Sequence, residues 1–335
     1  MSAEAATGMI ELVDVSRRFS KPLDVAGKIA RALGSKITEE TVHAVDGVNL
    51  SIRQGEVVGL VGESGCGKST LGRIVAGILP ASGGSVRWRG QDRGALSGKA
   101  ARDAALAVQM IFQDPFASLN PRMKVRDIVG EAPMVHGLVD RAQVDDYVSD
   151  VMRLVGLDPS YRARYPHQFS GGQRQRIGIA RALAVKPEFI VCDEAVAALD
   201  VSIQAQVLNL FMDLRRDLNL TYLFISHDLG VVEHISDRVV IMYLGRVVEA
   251  APTEALFGAP NHPYTRALLS AVPRLDQRKA SFKPVEGEIP SPLNPPSGCH
   301  FHPRCAFATD RCRSERPALR EIAPGRLSAC HLNDM

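Results

Sequence analysis

The sequence predicts an α/β protein whose core is a parallel β-sheet with crossover helices. Three observations support this fold class. Apolar segments of strand length, such as 56–62 and 189–193, alternate with longer segments of helical periodicity, such as 202–218. The segment 56–62 is almost wholly apolar, which is typical of a strand buried on both faces. Prolines then crowd residues 284–297, so we expect the chain to end in an irregular, cysteine-rich appendage.

Short apolar or partly alternating runs predict the strands. In chain order they are residues 9–19, 44–52, 56–62, 85–90, 108–113, 189–193, 221–226 and 238–243. Helical spacing of apolar residues predicts the helices. They are a short helix at Leu23–Leu33, a helix from 67–69 to about residue 78, helices at 173–184 and 202–218, and a mostly helical insertion from 121 to about 165.

Composition excludes several classes of protein. The 335 residues are 45% hydrophobic and 23% charged, which is ordinary for a globular chain, and the length suggests about two domains. The net charge of +3 is too small for the basic field of a nucleic-acid-binding protein. No apolar run reaches the ~18–20 residues of a membrane helix, and the first residues lack the pattern of a secretory signal. We therefore expect a cytoplasmic protein that reaches a membrane only through partners.

A phosphate-binding loop is predicted immediately after the apolar strand 56–62. The segment G-E-S-G-C-G-K-S fits G-x-x-x-x-G-K-S/T between a strand and a helix, a context that disfavours a chance match by a glycine-rich turn. Backbone N–H groups would bind phosphate, Lys68 would reach the β- and γ-phosphates, and the Ser69 hydroxyl would ligate Mg²⁺. The residues assigned to nucleotide are Gly62, Glu63, Ser64, Gly65, Cys66, Gly67, Lys68, Ser69 and Thr70.

Two carboxylates end the strand at 189–193. Asp193 is predicted to lie near Mg²⁺, and Glu194 to orient or deprotonate a water molecule. Acidic pairs also cap strands at solvated edges, so the pair by itself is a weak signal. Together with the phosphate loop it indicates a site that hydrolyses a nucleotide.

A third motif, Ser170-Gly171-Gly172-Gln173, precedes a helix. Helix capping explains Ser170 but not both glycines and Gln173. The motif resembles the signature of the ATP-binding cassette (ABC) superfamily. Gln113, Asp200 and His227 resemble the Q-loop, D-loop and switch histidine of that superfamily, although a lone histidine at a strand end is more often structural. The resemblance covers about residues 9–260.

The resemblance implies a RecA-like parallel sheet, an antiparallel β subdomain and an inserted helical subdomain at about residues 121–170. It also implies that two cassettes sandwich two ATP molecules. One ATP would be served by Lys68, Ser69, Gln113, Asp193, Glu194 and His227, with Lys68, Glu194 and His227 catalytic and Ser69, Gln113 and Asp193 around Mg²⁺.

The same resemblance assigns residues to the second nucleotide and to the base. Ser170 and Gly172 would contact the γ-phosphate held by the other cassette, and Gly171, Gln173 and Asp200 belong to the same nucleotide-binding set. Phe19 resembles the aromatic residue that stacks on adenine, although a phenylalanine in a strand is more often part of the core.

One position departs from the family pattern. The family usually places proline after the catalytic glutamate, and here Ala195 follows Glu194. Both carboxylates are present, so hydrolysis is still expected. The turn therefore lacks the fixed φ that a proline would give it.

Three later segments, 224–250, 261–265 and 290–299, resemble the ATPase subunits of dipeptide/oligopeptide importers, in detail the second of two paralogous ATPases. This resemblance divides the chain into a cassette at 9–260 and an importer-type C-terminal region at 261–335. It implies peptide import at the cytoplasmic face of the inner membrane, to which the chain would be bound peripherally. The implied partners are a paralogous ATPase in a heterodimer, two transmembrane permease subunits and an extracytoplasmic substrate-binding protein, with no nucleic acid.

Other functions remain open at this point. The same branch includes nickel and oligosaccharide importers. A regulatory cassette without turnover, or one acting in translation or DNA repair, would be a non-transport alternative. Intact Lys68, Glu194 and His227 argue against the regulatory cassette, and a single motif set without sustained heptads argues against the other.

Four of the six cysteines, Cys299, Cys305, Cys312 and Cys330, crowd the end of the chain. A chain without a secretory signal disfavours disulfides, and the short C-x2-C pairs of structural zinc sites are absent. Resemblance to members of the importer branch implies that these thiolates hold a 4Fe–4S cluster. A zinc site with His300, His302 or His331, and four free thiols, are the alternatives.

Overall fold

The structure is a computed structural model that describes residues 8–20, 40–114, 116–270 and 287–334. The predicted helix at Leu23–Leu33 and the first part of the proline-rich change of texture after Pro273, up to residue 286, lie outside the described residues. The described strands are β1 Ile10–Ser20, β2 Thr41–Ile52, β3 Val57–Val61, β4 Gly83–Trp88, β5 Gln91–Asp92, β6 Val108–Ile111, β7 Phe189–Asp193, β8 Thr221–Ile225, β9 Arg238–Tyr243, β10 Arg246–Pro252, β11 Arg320–Ala323 and β12 Arg326–Ser328.

The described strands form two sheets. The larger has the order β11-β12-β10-β9-β3-β8-β7-β6, and its five strands from β9 to β6 are parallel neighbours. Strands β3, β7 and β8 are buried along their whole length, so they carry apolar residues without polar alternation. This confirms the predicted parallel sheet. The smaller sheet, β2-β1-β4-β5, is antiparallel.

Helices cover the faces of the large sheet and form the insertion. They are α1 Lys68–Val75, α2 Gly98–Ala107, α3 Val125–Val135, α4 Val144–Leu154, α5 Gly171–Leu183, α6 Val201–Leu218, α7 Leu229–Ile235, α8 Thr253–Gly258, α9 Pro263–Ser270 and α10 Asp310–Ser314. The helical stretch predicted from residue 121 is observed as α3 and α4. These helices pack closely because Gly130 lacks a side chain: a Cβ there would lie 2.7 Å from a methyl of Val144.

The C-terminal residues are more regular than the sequence predicted. Strand β12 pairs antiparallel with β10, and β11 pairs with β12, so this region extends the large sheet. Phe301 packs against Tyr243 of β9 and Tyr264 of α9, with ring centroids 5.3 Å apart in both pairs. The prediction of an irregular cysteine-rich appendage is therefore not confirmed. Across the described ranges, the helices fall short of the length and apolar character needed to cross a membrane.

Candidate active site

The order of the parallel strands assembles the candidate site. Strands β3, β8, β7 and β6 lie side by side, and parallel strands end at one edge of the sheet. The phosphate loop follows β3, His227 follows β8, Glu194 follows β7 and Gln113 follows β6. Residues from four distant parts of the sequence are thus brought to a single edge.

The loop between β3 and α1 takes a backbone path that requires glycine. Gly67 has φ +105°, and a Cβ there would lie 2.1 Å from the carbonyl oxygen of Ala44 on β2. Gly65 has φ +79°, also in the left-handed region. The turn delivers the chain into the first residue of α1, where the free N–H groups of a helix can bind an anion.

Lys68 is the first residue of α1 and is buried at the base of this loop. Its Nζ donates to the carbonyl oxygens of Gly62 at 2.7 Å and Glu63 at 3.0 Å. Both acceptors belong to the loop itself, so the ammonium group lies beneath the place where phosphates would bind.

Ser69 and Asp193 form the second part of the site. The Ser69 hydroxyl donates to Oδ1 of Asp193 at 2.8 Å. Burial raises the pKa of Asp193, and the hydrogen bond from Ser69 opposes that shift. A hydroxyl and a carboxylate in contact at the phosphate loop are the hard oxygen ligands that suit Mg²⁺, so these residues fit the metal.

Glu194 lies between Gln113 and His227. Gln113 Nε2 donates to Oε2 of Glu194 at 2.6 Å, and His227 Nδ1 lies 3.4 Å from Oε1. The backbone of Glu194 is left-handed, with φ +48°, which few residues other than glycine adopt. Its N–H donates to Ile225, and its carbonyl accepts from Ala197 at 3.1 Å. These hydrogen bonds stabilise the turn after Glu194, where Ala195 stands in place of the proline that is usual in the family.

A cleft of about 410 Å³ lies above these groups. Its lining residues are Phe19, Val42, Ala44, Ser64, Gly65, Gly67, Lys68, Ser69, Thr70, Gln113, Glu194 and Pro292. Phe19 is 40% exposed, which argues against a core role, and the guanidinium of Arg17 lies 4.7 Å from its ring centroid. Val42, Ala44 and Pro292 were not predicted as site residues, because apolar residues and prolines carry no motif.

The signature motif lies apart from this cleft, at the start of α5. Ser170 caps the helix: its hydroxyl accepts from the N–H of Gln173 at 3.3 Å, and the Gln173 side chain accepts from the N–H of Ser170 at 3.0 Å. A Cβ on Gly172 would lie 2.5 Å from Cγ2 of Ile203, one turn into the helix that Asp200 precedes. The signature therefore packs against the segment that begins with Asp200.

Glu63 is the loop residue whose side chain turns away from the cleft. Its carboxylate accepts two hydrogen bonds from the guanidinium of Arg304, at 2.7 and 3.0 Å. Its backbone N–H donates to the hydroxyl of Tyr264 at 2.9 Å. Neither partner was predicted, because Arg304 lies 241 positions away in sequence and no motif joins them.

The iron–sulfur prediction is wrong. No group of three or more His, Cys, Asp or Glu within residues 8–20, 40–114, 116–270 and 287–334 is placed to hold a metal ion. Cys299, Cys305, Cys312 and Cys330 are free and partly buried. Burial raises the pKa of Cys299 to about 11 and also raises the pKa of Cys305 and Cys330. Because the described residues contain no such group, the zinc alternative is removed as well.

The phosphate loop, the carboxylate pair and the signature helix together define an ATPase built on the ATP-binding cassette. Two family models match the chain: ABC transporter over residues 45–197, and the C-terminal region of oligopeptide/dipeptide transporters over residues 248–312. The oligopeptide transport ATP-binding protein AppF of Bacillus subtilis is 48% identical over 99% of both chains. YkfD of the same bacterium is 53% identical over 88% of this chain and 91% of its own.

Among solved structures, the dimeric bacterial ABC transporter cassette MJ0796 is 26% identical with a TM-score of 0.61, covering 73% of this chain and 99% of that one. The chain therefore belongs to the ABC transporter ATPases, in the family with the oligopeptide/dipeptide transporter C-terminal region.

Proposed function

We propose that this chain is the ATP-hydrolysing subunit of a multi-subunit importer that takes up dipeptides or oligopeptides. The observation that carries the proposal is Glu194, held at its two oxygens by Gln113 and His227 beside the phosphate loop. A carboxylate held there can accept the proton of a water that attacks the γ-phosphate. Kinship to peptide-transport ATPases across the whole chain supports peptides as the transported class.

Each site residue has a role in this reaction. Backbone N–H groups of residues 64–70 bind the phosphates, and Lys68 moves from its carbonyl acceptors toward them. Ser69 and Asp193, with Gln113, would hold Mg²⁺, which when bound offsets the negative charge of the phosphates. Phe19 presents an exposed ring to adenine, and His227 assists Glu194.

We infer that a second cassette completes the site. Ser170 and Gly172 lie at the N-terminus of α5, away from the cleft of their own chain, and that terminus can bind the γ-phosphate of a partner. The partner would be a paralogous ATPase, so that this chain works in a heterodimer. Gly171, Gln173 and Asp200 would line the contact between the two.

The remaining partners follow from the same role. The cassette at 9–260, with its helical subdomain at about 121–170, would bind two permease subunits from the cytoplasmic face of the inner membrane. A substrate-binding protein outside the cell would deliver the peptide. The C-terminal region at 261–335 would be part of the same complex.

Reconstitution of the complex in liposomes tests the function. The chain is combined with the permease, ATPase and binding-protein subunits encoded beside it, and ATP hydrolysis is measured with peptides, Ni²⁺ or oligosaccharides. We expect peptides alone to stimulate hydrolysis and to accumulate inside. Stimulation by Ni²⁺ or a sugar would replace the proposed substrate, and hydrolysis unresponsive to every solute would favour a non-transport role.

A further inference from the structure

The C-terminal region contacts Glu63, the residue that follows Gly62 in the phosphate loop. Arg304 lies at the end of a short 3₁₀ turn, His302–Arg304, and forms a two-point ion pair with the Glu63 carboxylate. The hydroxyl of Tyr264 in α9 accepts a hydrogen bond from the backbone N–H of Glu63. Glu63 is therefore held at its side chain by Arg304 and at its backbone by Tyr264.

This ion pair is well protected from solvent. The side chain of Arg304 is 4% exposed and that of Glu63 21% exposed. Arg304 also lies 3.4 Å from the hydroxyl of Tyr243, at the end of β9. A shielded, bidentate pair of this kind is stronger and more directional than a surface ion pair.

The clamped residue is coupled to Lys68. The carbonyl oxygen of Glu63 accepts a hydrogen bond from Lys68 Nζ at 3.0 Å. Glu63, which Arg304 holds in place, therefore also orients the ammonium group of Lys68. Charge gives a second link. An unpaired Glu63 carboxylate would lie beside the phosphate loop and would repel the negative phosphates.

The C-terminal region also contributes to the cleft itself. The carbonyl oxygen of Pro292 accepts from the N–H of His43 on β2 at 3.1 Å. Pro292 lines the cleft together with Val42 and Phe19. The C-terminal region thus lines the cleft at Pro292 and contacts the phosphate loop at Glu63.

We propose that Arg304 is a positioning residue for nucleotide binding, which neutralises Glu63 and holds the phosphate loop in its binding conformation. The C-terminal region thereby becomes a structural part of the nucleotide site. This inference rests on the proposed nucleotide site, and the experiment separates the two.

The test compares nucleotide affinity in full-length variants. ADP with Mg²⁺ is titrated calorimetrically into the parent chain, Arg304→Met, Glu63→Gln and the double variant. We expect Arg304→Met to weaken binding about tenfold, since it leaves the shielded Glu63 carboxylate without its partner on the far side of the phosphate loop. The double variant should recover most of the affinity, because residue 63 then carries no charge that repels the phosphates. A residue needed only for stability would not be rescued by this second change.

Steady-state kinetics of the assembled complex give a second readout. Arg304→Met should raise KM for ATP with kcat within about twofold of the parent, because repulsion of the phosphates acts equally on the bound and reacting states. Arg304→Lys keeps the charge but loses the two-point geometry, so its affinity should lie between those of the parent and Arg304→Met. This variant carries the test if Arg304→Met fails to fold.

Arg311→Met is the control. Arg311 makes a two-point pair with Glu315 and also contacts Asp334; both partners lie in the C-terminal region, and this pair is more exposed than that of Arg304 with Glu63. Its loss should leave ADP affinity unchanged. Parent-like affinity in Arg304→Met, or a double variant no better than the single one, would overturn the inference. Lys68→Ala reports on the nucleotide site itself: if it binds ADP normally, the proposed site fails, whatever Arg304 does.

Discussion

The side-chain amide of Gln113 donates a hydrogen bond to the carboxylate of Glu194 over 2.6 Å, although 81 positions separate the two residues in sequence. The contact forms because β6 and β7 are parallel neighbours whose carboxyl ends meet at one edge of the sheet. With His227 near the other oxygen, side chains that follow two strands hold both oxygens of the carboxylate. In the proposed reaction, a carboxylate held in this way would need less reorganisation.

Replacing Glu194 with glutamine tests its role as the base. The amide keeps the size of the carboxylate and can still accept from Gln113, but it cannot take a proton. We expect hydrolysis by the assembled complex to fall about 10²- to 10⁴-fold while nucleotide affinity is kept. Glu233→Gln, on the exposed face of α7, is the control. Near-normal turnover in Glu194→Gln would reject Glu194 as the base.

Removal of the Lys68 side chain should abolish most nucleotide binding. The substitution Lys68→Ala deletes the cation and leaves the carbonyl oxygens of Gly62 and Glu63 without their donor. We expect affinity for Mg-ATP to fall at least about 100-fold, as for loss of a charged contact in a shielded site. Exposed Lys99→Ala should bind as the parent does in the same titration. Equal affinities for both variants would contradict the assignment of the phosphate loop.

The signature glycine can be tested apart from the cleft. In Gly172→Ala the new Cβ would lie 2.5 Å from Ile203, so the start of α5 must shift. We expect ATP turnover by the complex to fall at least about tenfold, while the single chain binds nucleotide normally. Gly178→Ala is a matched control on the same helix, because a Cβ there meets open space. Unchanged turnover in Gly172→Ala would remove the signature from the reaction.

Buried His262 makes stability depend on pH. Its pKa is lowered from the usual 6.5 to about 4, chiefly by burial and also by Arg266, while a hydrogen bond with the backbone of Ala329 opposes the shift. Its Nδ1 accepts from the N–H of Tyr264, and its backbone N–H donates to the buried carboxylate of Glu249. Between pH 6.5 and 4 the unfolded chain binds a proton that the folded chain excludes, so stability falls as pH falls.

At pH 5 this histidine should cost about 2 kcal/mol of unfolding free energy relative to pH 7.5. Urea unfolding at both pH values measures the difference. His262→Asn keeps an acceptor for Tyr264 but cannot ionise, so its loss between the two pH values should be smaller by that amount. Exposed His234→Asn should follow the parent. Equal pH dependence in His262→Asn and the parent would show that His262 does not set it.

The C-terminal region shows where sequence reasoning failed. Strands β11 and β12 have four and three residues, too short for periodicity to reveal, and they form only because β10 offers its edge. The importer resemblance implied that four cysteines close together in sequence hold a cluster, but ligation depends on where the sulfur atoms point. Neither the resemblance nor the spacing carries that property.

The sequence predicted the local motifs because each motif consists of residues that are adjacent in sequence. The loop from Gly62 to Ser69, the acidic end of β7 and the cap at Ser170 each use residues adjacent in sequence, so their chemistry is visible without a fold. The alternation of strands and helices also followed from apolar periodicity alone. The sequence by itself therefore determined the class of ATPase, most of the parallel core and those residues of the proposed site that belong to a motif.

Tertiary structure alone decided how these parts meet. The strand order brings Gln113, Glu194 and His227 together, and the packing of the C-terminal region places Arg304 on Glu63 and Pro292 beside the cleft. Such contacts depend on the relative positions of segments up to 241 residues apart. A sequence pattern within one segment predicts the local structure and burial of that segment. The pairings between distant segments depend on how the sheet, its helices and the final strands pack together.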